Sequence, residues 1–263
     1  MKKAIAAGCA FALGIGAASL SHGADGELRL GAGLDYTRGK YGSSTESTTV
    51  AIPVTVRYEL DRWTYKLTLP YLKVTGPANF VPGIGHVDNS GKSNRRNFAG
   101  TTTESGLGDS VASATYNAWY DASLKRGLDL TGRLKLPTGD AAKGLGTGST
   151  DAGVQVDAYQ TFDRLTVFAD LGYTFFGHSD YVELQNAGNY GVGASQKLND
   201  LDSLGASLDG RNKVTPGGAK QRELTFFWNR RADRATRFQA YVLFGLANGS
   251  PDVGAGVSAA RAF

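Results

Sequence analysis

Three sets of residues in this 263-residue chain have side chains that could do chemistry. His178-Ser179-Asp180 contains the residue types of a hydrolytic triad, and His86 is a second imidazole. A serine nucleophile needs a hydrogen bond to its histidine and a carboxylate orienting that histidine. Neighbours on an extended chain point to opposite faces, so adjacency alone does not build that geometry. Gly144-Leu-Gly-Thr-Gly148 has the glycines of a phosphate cradle but lacks its lysine and a strand–turn–helix context, so it reads as loop glycines. The acidic and amide side chains of the loops follow no twelve-residue calcium pattern. No catalytic residue, metal or cofactor is expected. The third set is larger: charged residues that alternate with apolar ones along short segments.

The segment Leu128 to Leu136 shows the pattern. Leucines stand at 128, 130, 134 and 136, with Asp129, Thr131, Arg133 and Lys135 between them. A period of two is a β-strand with one apolar and one polar face. The connector 137–151 is rich in Gly and Thr, and the alternation resumes from Val154 to Phe162. The same pattern recurs near 28–36, 50–60, 63–71, 109–120, 165–175, 189–198, 202–210, 224–228, 238–246 and 253–263. That makes twelve strands. The stretch from about 75 to 105 has no periodicity and reads as a long surface loop.

The start of the chain reads as a secretory signal. Lys2 and Lys3 precede a small and apolar run from Ala4 to Leu20, with cleavage expected after Gly23. The expected domains are therefore a signal peptide over 1–23 and one β-domain over 24–263. Removing Lys2 and Lys3 lowers the basic count from 28 to 26, against 24 acids, so the mature chain is near +2. No basic stripe points to nucleic acid. Cys9, the single cysteine, lies inside the signal, so no disulfide framework holds the mature chain.

After the signal, no apolar run approaches the ~18 residues of a membrane helix. A membrane-spanning chain without helices must close its sheet, because lipid offers no partner to free backbone N–H and C=O groups. Two regularities favour closure over a soluble sandwich. Short turns at 61–62, 121–127, 163–164, 199–201 and 232–235 alternate with longer polar loops. Tyr58, Trp63, Phe162, Trp228 and Phe238 flank those turns, as an interfacial girdle would. The expected fold is all-β, a closed antiparallel up-and-down transmembrane β-barrel of about 12 strands in a bacterial outer membrane.

With leucines toward lipid, the lumen receives Arg29, Arg57, Glu59, Lys66, Asp109, Asp129, Arg133, Lys135, Asp157 and Asp170. Asp35, Lys197 and Asp209 fall on the same side. The signs nearly cancel, and no ring of one sign is visible. Mixed charges suit either a polar path for modest solutes or an internal network of ion pairs. In the connector, Thr138, Asp140, Thr147, Ser149 and Asp151 are candidates for a folded constriction, or equally for rigid packing.

Lys135-Leu-Pro-Thr-Gly-Asp140, followed by Leu145-Gly-Thr-Gly-Ser149-Thr-Asp151, resembles the signature of the bacterial outer-membrane family named for the MetA pathway of phenol degradation. Gly106-Leu-Gly-Asp109 and the ending from Gly249-Ser-Pro-Asp252 to Phe263 are similar to it as well. The resemblance implies an outer-membrane barrel that passes hydrophobic or aromatic compounds. The terminal Phe263, on one face with Val253, Ala255, Val257 and Ala259, resembles the signal read by the barrel-assembly machinery; Arg261 departs from that pattern. The expected function is a channel or transporter for small molecules, hydrophobic or aromatic compounds among them. Its expected partners are outer-membrane lipid, the assembly machinery and the solute. The alternatives are a lipid-acting barrel enzyme, or a structural or adhesive barrel that uses the 75–105 loop.

Overall fold

The structure is a computed structural model that describes residues 26–77, 79–86 and 100–263. The expected signal peptide and the polar run 89–96 lie outside the described residues. Fifteen strands are present among those residues: β1 (Glu27–Gly39), β2 (Ser47–Leu60), β3 (Trp63–Pro77), β4 (Phe80–Val81), β5 (Gly85–His86), β6 (Thr101–Leu107), β7 (Ser110–Asp121), β8 (Arg126–Leu136), β9 (Asp151–Phe162), β10 (Leu165–Phe175), β11 (Ala187–Lys197), β12 (Asp202–Arg211), β13 (Gln221–Arg231), β14 (Thr236–Gly245) and β15 (Val253–Ala262).

Leaving aside β4, β5 and β6, neighbours in sequence pair antiparallel, and β1 pairs with both β2 and β15, so the sheet closes on itself. β6 pairs with the outer half of β3 and β7 with its inner half, so they form one wall strand broken at Gly108–Asp109. β4 and β5 form a separate small hairpin. The wall therefore has twelve strand positions, as the periodicity requires.

The phase is set by burial. Leu171 is 70% exposed and the adjacent Asp170 only 3%, so apolar side chains face outward and polar ones inward. Exposed Leu30, Ile52, Leu69, Leu134, Val156, Val192, Phe226 and Val257 continue the outer belt around the wall. An aqueous protein would bury such a belt; lipid accommodates it. Exposed Tyr58, Trp63, Phe162 and Phe238 mark the short-turn end, while Trp228, on the outward face, donates its indole N–H to Asp202 at 3.1 Å.

The short turns follow from their residues. Asp61 and Asp163 take left-handed backbone angles (φ 48° each) between the paired ends Leu60–Trp63 and Phe162–Leu165. Asp tolerates that region better than most residues, which suits two-residue hairpins. Asp233 acts differently. Its carboxylate accepts the Ala235 and Thr236 N–H groups at 2.7 Å each.

Three expectations need correction. The stretch 75–105 is not all loop: β3 runs to Pro77, the wall strand resumes at Thr101, and Phe80 and Val81 are buried. Apolar Phe80 and Val81 account for that burial, since neither gains from facing water. The second correction concerns the segment 109–120, where a strict period of two keeps Tyr120 on one face with Ala118. A β-bulge between Asn117 and Trp119 slips the register. Trp119 then pairs with Leu128 on the lipid side, and Tyr120 pairs with Gly127 on the lumen side. Third, Lys197 is not in the lumen. It lies at the end of β11, 53% exposed, and pairs with Asp200 in the next turn at 2.9 Å.

Candidate functional site

The lumen is the candidate site, and strand register organises its charges. Arg29 on β1 lies opposite Arg57 on β2, Arg57 opposite Lys66 on β3, Lys66 opposite Ser113 on β7, and Ser113 opposite Arg133 on β8. This is a basic row along one register line. A second line starts with Asn117 on β7 opposite Asp129 on β8, then Asp157 on β9 and Asp170 on β10. It continues through Gly191 on β11 and Asp209 on β12 to Glu223 on β13. Five carboxylates thus follow one another across six adjacent strands. The two rows are parallel and meet β8 four residues apart, at Asp129 and Arg133. That is ~13 Å along the strand.

Small residues make room for this arrangement. A Cβ on Gly191 would stand 2.4 Å from an Asp170 carboxylate oxygen and 2.7 Å from one of Asp209, so only Gly lets both carboxylates converge over β11. Gly256 does the same on β15, where Asp35 accepts the Tyr241 hydroxyl at 2.8 Å across the top of it.

Hydrogen bonds and ion pairs hold groups in both rows. Arg29 pairs with Glu27, and Arg57 with Glu59 at 2.6 Å, so the two lowest basic rungs carry counter-ions. In the acidic row, Asp129 accepts from Asn117 at 2.6 Å, Asp157 from Gln155 at 2.7 Å and Asp209 from Ser207 at 2.7 Å. Those three donors are neutral. Arg133 donates to Gln155 at 3.3 Å and lies within electrostatic range of Asp157 and Asp170. Lys66 lies within range of Arg57 and Arg133.

The connector between β8 and β9 is folded onto the wall by a buried ion cluster. Lys135 pairs with Asp109 at 2.9 Å and Asp151 at 2.7 Å, and all three side chains are no more than 10% exposed. Asp109 also accepts the Gly139 and Thr147 N–H groups at 3.1 Å each. Lys135 donates to the Thr147 hydroxyl, and Ser149 donates to Asp151 at 2.8 Å. Thr138 donates to the Gly108 carbonyl and accepts the Ser110 N–H, both at 2.8 Å. Asp140 closes the local turn through its carbonyl, which accepts the Lys143 and Leu145 N–H groups. The break in the wall strand is what frees Asp109 to reach this loop. Thr138, Thr147, Ser149 and Asp151 are thereby brought together; Asp140 stays near the surface. Asp151 belongs to β9 rather than to the loop.

Leu145, which the polar motif surrounds, is 2% exposed. It packs in one apolar cluster with Tyr41, Ala51, Leu72, Val74 and Phe80 at the outer end of the lumen. Val81 packs with Val182, Ile84, Tyr181 and Leu184 in a second. The β4–β5 hairpin joins the two and reaches further. Arg211 of β12 donates to its Gly83 carbonyl, as Gln221 of β13 does at 3.5 Å. Phe80 contacts the β3 wall, and β12 stands six wall strands from β3 in either direction. The hairpin therefore spans the mouth from one side to the other.

The triad-like run does not assemble. His178 and Asp180 approach at 3.3 Å on the surface. Ser179 is buried, donates to the Thr147 carbonyl and accepts the Tyr181 and Val182 N–H groups at 3.1 Å each. Ser179 is thus committed to loop packing.

Sequence reading left out several lumen groups. Arg237, Tyr241 and Glu223 sit on the inward phase of β13 and β14, which Phe226, Phe238 and Val242 on the outer face already define. Leu145 and Phe80 carry no such signal, because loops have no period.

A closed sheet with a lipid-facing apolar belt and a charged interior defines an outer-membrane β-barrel, and the protein resides in the bacterial outer membrane. The chain matches the family model described as "Putative MetA-pathway of phenol degradation" over residues 61–223, more than half of its length, and belongs to that family. No curated protein matches the chain. Among solved structures it is similar to an outer membrane channel from Pseudomonas putida F1, at 14% identity, 99% and 97% coverage of the two chains and a TM-score of 0.66. The beta domain of the Bordetella autotransporter BrkA is also similar (10% identity, coverage 91% and 100%, TM-score 0.54). So is the KdgM porin (9%, 88% and 99%, 0.51). At these identities the likeness is one of fold.

Proposed function

We propose that the protein is a gated outer-membrane channel for small molecules, with phenol-like aromatics among its solutes. The observation that carries this reading is the change of chemistry along the lumen. Apolar Tyr41, Leu72, Phe80 and Leu145 gather at the mouth, and charged side chains line the wall below. An aromatic ring with a polar substituent suits both zones in turn. The family description and the channel from Pseudomonas putida F1 point the same way.

In this reading Arg29, Arg57, Glu59, Lys66, Asp129, Arg133, Asp157 and Asp170 line the solute path. Asp109, Lys135, Thr138, Thr147, Ser149 and Asp151 hold the loop that narrows the mouth, with Asp140 shaping its turn. The β4–β5 hairpin is the gate. Phe263, 73% exposed with its N–H bonded to the Leu28 carbonyl at 2.9 Å, serves as the assembly signal.

Liposome swelling with a panel of phenols, sugars and ions tests the proposal. Phenols are expected to enter faster than into empty liposomes. Entry no faster than into empty liposomes, for every solute, contradicts it.

A further inference from the structure

The short-turn, periplasmic end of the lumen gathers arginines from four strands. Arg231 on β13 lies directly opposite Arg237 on β14, both on the inward phase. Like charges facing each other across a strand pair are destabilising. Among the described residues neither guanidinium pairs with a carboxylate, and Nε of Arg237 is buried without a hydrogen-bond partner. So is Nδ2 of Asn229, one rung further in and opposite Gln239. Arg29 comes to the same place from β1. It reaches across β15 to donate to the Ala235 carbonyl at 3.0 Å, in the turn that joins Arg231 to Arg237. Between them stands Ala260 of β15, opposite both Arg237 and Gly31, so no bulky side chain there keeps the guanidiniums apart. Arg57 of β2 lies opposite Arg29, and Lys66 of β3 opposite Arg57. Arg237 is within electrostatic range of Arg29, Arg231, Arg57 and Glu59. The nearby carboxylates are already engaged. Glu27 pairs with Arg29 and Glu59 with Arg57, while Asp233 accepts two turn N–H groups and lies within range of Arg261.

We propose that Arg29, Arg57, Arg231 and Arg237 form an oxyanion-binding site at the periplasmic exit of the lumen, taking the carboxylate or phosphate group of a small solute. A guanidinium is a planar fork of N–H donors that matches either group bidentately. A bound oxyanion supplies the counter-charge that Arg231 and Arg237 lack across their strand pair, and the Asn229 amide offers a further, neutral donor. Arg231 is exposed and Arg237 half-buried, so the cluster is open to water from the periplasmic side. Both side chains face inward, which leaves the headgroups of the surrounding lipid on the other side of the wall. The site fills without any flux through the barrel, so it stands apart from the channel reading.

The test is isothermal titration calorimetry of the intact protein in detergent micelles at low ionic strength, with sodium benzoate, inorganic phosphate and neutral benzamide as probes. Folding of each variant is verified by heat-modifiable gel mobility. Benzoate, phosphate or both should bind, and benzamide should not; the tighter of the two anions assigns the class of solute. Losing one charge-assisted hydrogen bond weakens binding roughly tenfold or more. The double change R231Q/R237Q should therefore weaken binding by at least that factor. R231Q alone, on the exposed rung, should show a smaller loss, and it carries the test if the double variant does not fold. K213Q/K220Q removes the same charge from the outer loop between β12 and β13 and should leave binding unchanged. Binding of neither anion, equal binding of benzamide, or an affinity that ignores R231Q/R237Q or falls as far in K213Q/K220Q overturns the inference and leaves the channel reading intact.

Discussion

Replacing Lys135 by Met should release the β8–β9 loop. Met keeps most of the side-chain volume but removes the charge, leaving Asp109 and Asp151 facing each other without their shared cation. Both carboxylates are buried, at 9% and 3% exposure. Breaking a buried pair by deleting one partner costs ~3–5 kcal/mol, because the remaining charge is left uncompensated. Here two charges are left, although the Gly139, Thr147 and Gly177 N–H groups and the Ser149 hydroxyl still serve them. The upper part of that range is therefore the expectation for the cluster as a whole. Most of the cost can be relieved by freeing the loop, so the damage should be local. Protease cleavage within 137–150 reports the release, and urea unfolding followed by tryptophan fluorescence reports the stability. Adding Asp109→Asn to the Met variant should restore part of the loss, since the two changes share one cluster. If Lys135→Met keeps the wild-type unfolding midpoint and stays uncut, the ion cluster does not hold the loop.

Other expected outcomes follow from single residues. Leu145→Ala should destabilise the mouth by ~2–4 kcal/mol, the usual cost of emptying a buried leucine site, and lengthen open states in single-channel records. Gly191→Ala should force Asp170 and Asp209 apart and lower the urea unfolding midpoint; an unchanged midpoint would show the spacing to be irrelevant. Leu171→Arg, on the lipid face, should cost ~2–4 kcal/mol if Leu171 lies near mid-bilayer, whereas the same change in an outer loop should cost almost nothing, both read from unfolding out of vesicles. Asp233 lies in a solvent-exposed turn, where the backbone N–H of Thr236, then that of Ala235, holds its carboxyl below the usual carboxylate range. Its contribution is therefore present above the unfolded value near ~3.9 and lost as pH falls through the lower folded value. Asp233→Ala should remove that acid-dependent loosening of the turn, measured by amide exchange at Ala235 and Thr236.

The wall was legible because lipid and lumen impose a period of two. Leu171 beside Asp170 is enough to set inside and outside for all of β10, and the same holds strand by strand. The period fails where the backbone departs from it. Ala118 is the extra residue of a bulge, and nothing in Asn117-Ala-Trp119 announces the slip that turns Tyr120 inward. Nor does the period reveal which residue faces which across strands. That is why the lumen charges appear balanced in sequence and segregated in space: Asp157 meets Asp129 and Asp170 only once register is fixed. The polar motif of the 137–151 connector was visible, but its anchor was divided. Lys135 and Asp151 lie at the motif's ends, while Asp109 comes from the break between β6 and β7. Phe80 and Leu145 were hidden for a different reason. Loop residues are buried by contacts distant in sequence, and single apolar residues among polar ones resemble ordinary exposed ones.

Single-channel current in planar bilayers separates an open conduit from a plugged barrel. The wild-type protein should give discrete openings, and the form lacking the β4–β5 hairpin should stay open longer and pass more current, because the hairpin spans the mouth from β3 to Arg211. A folded protein that gives no openings in either form would contradict the claim that this lumen is a conduit.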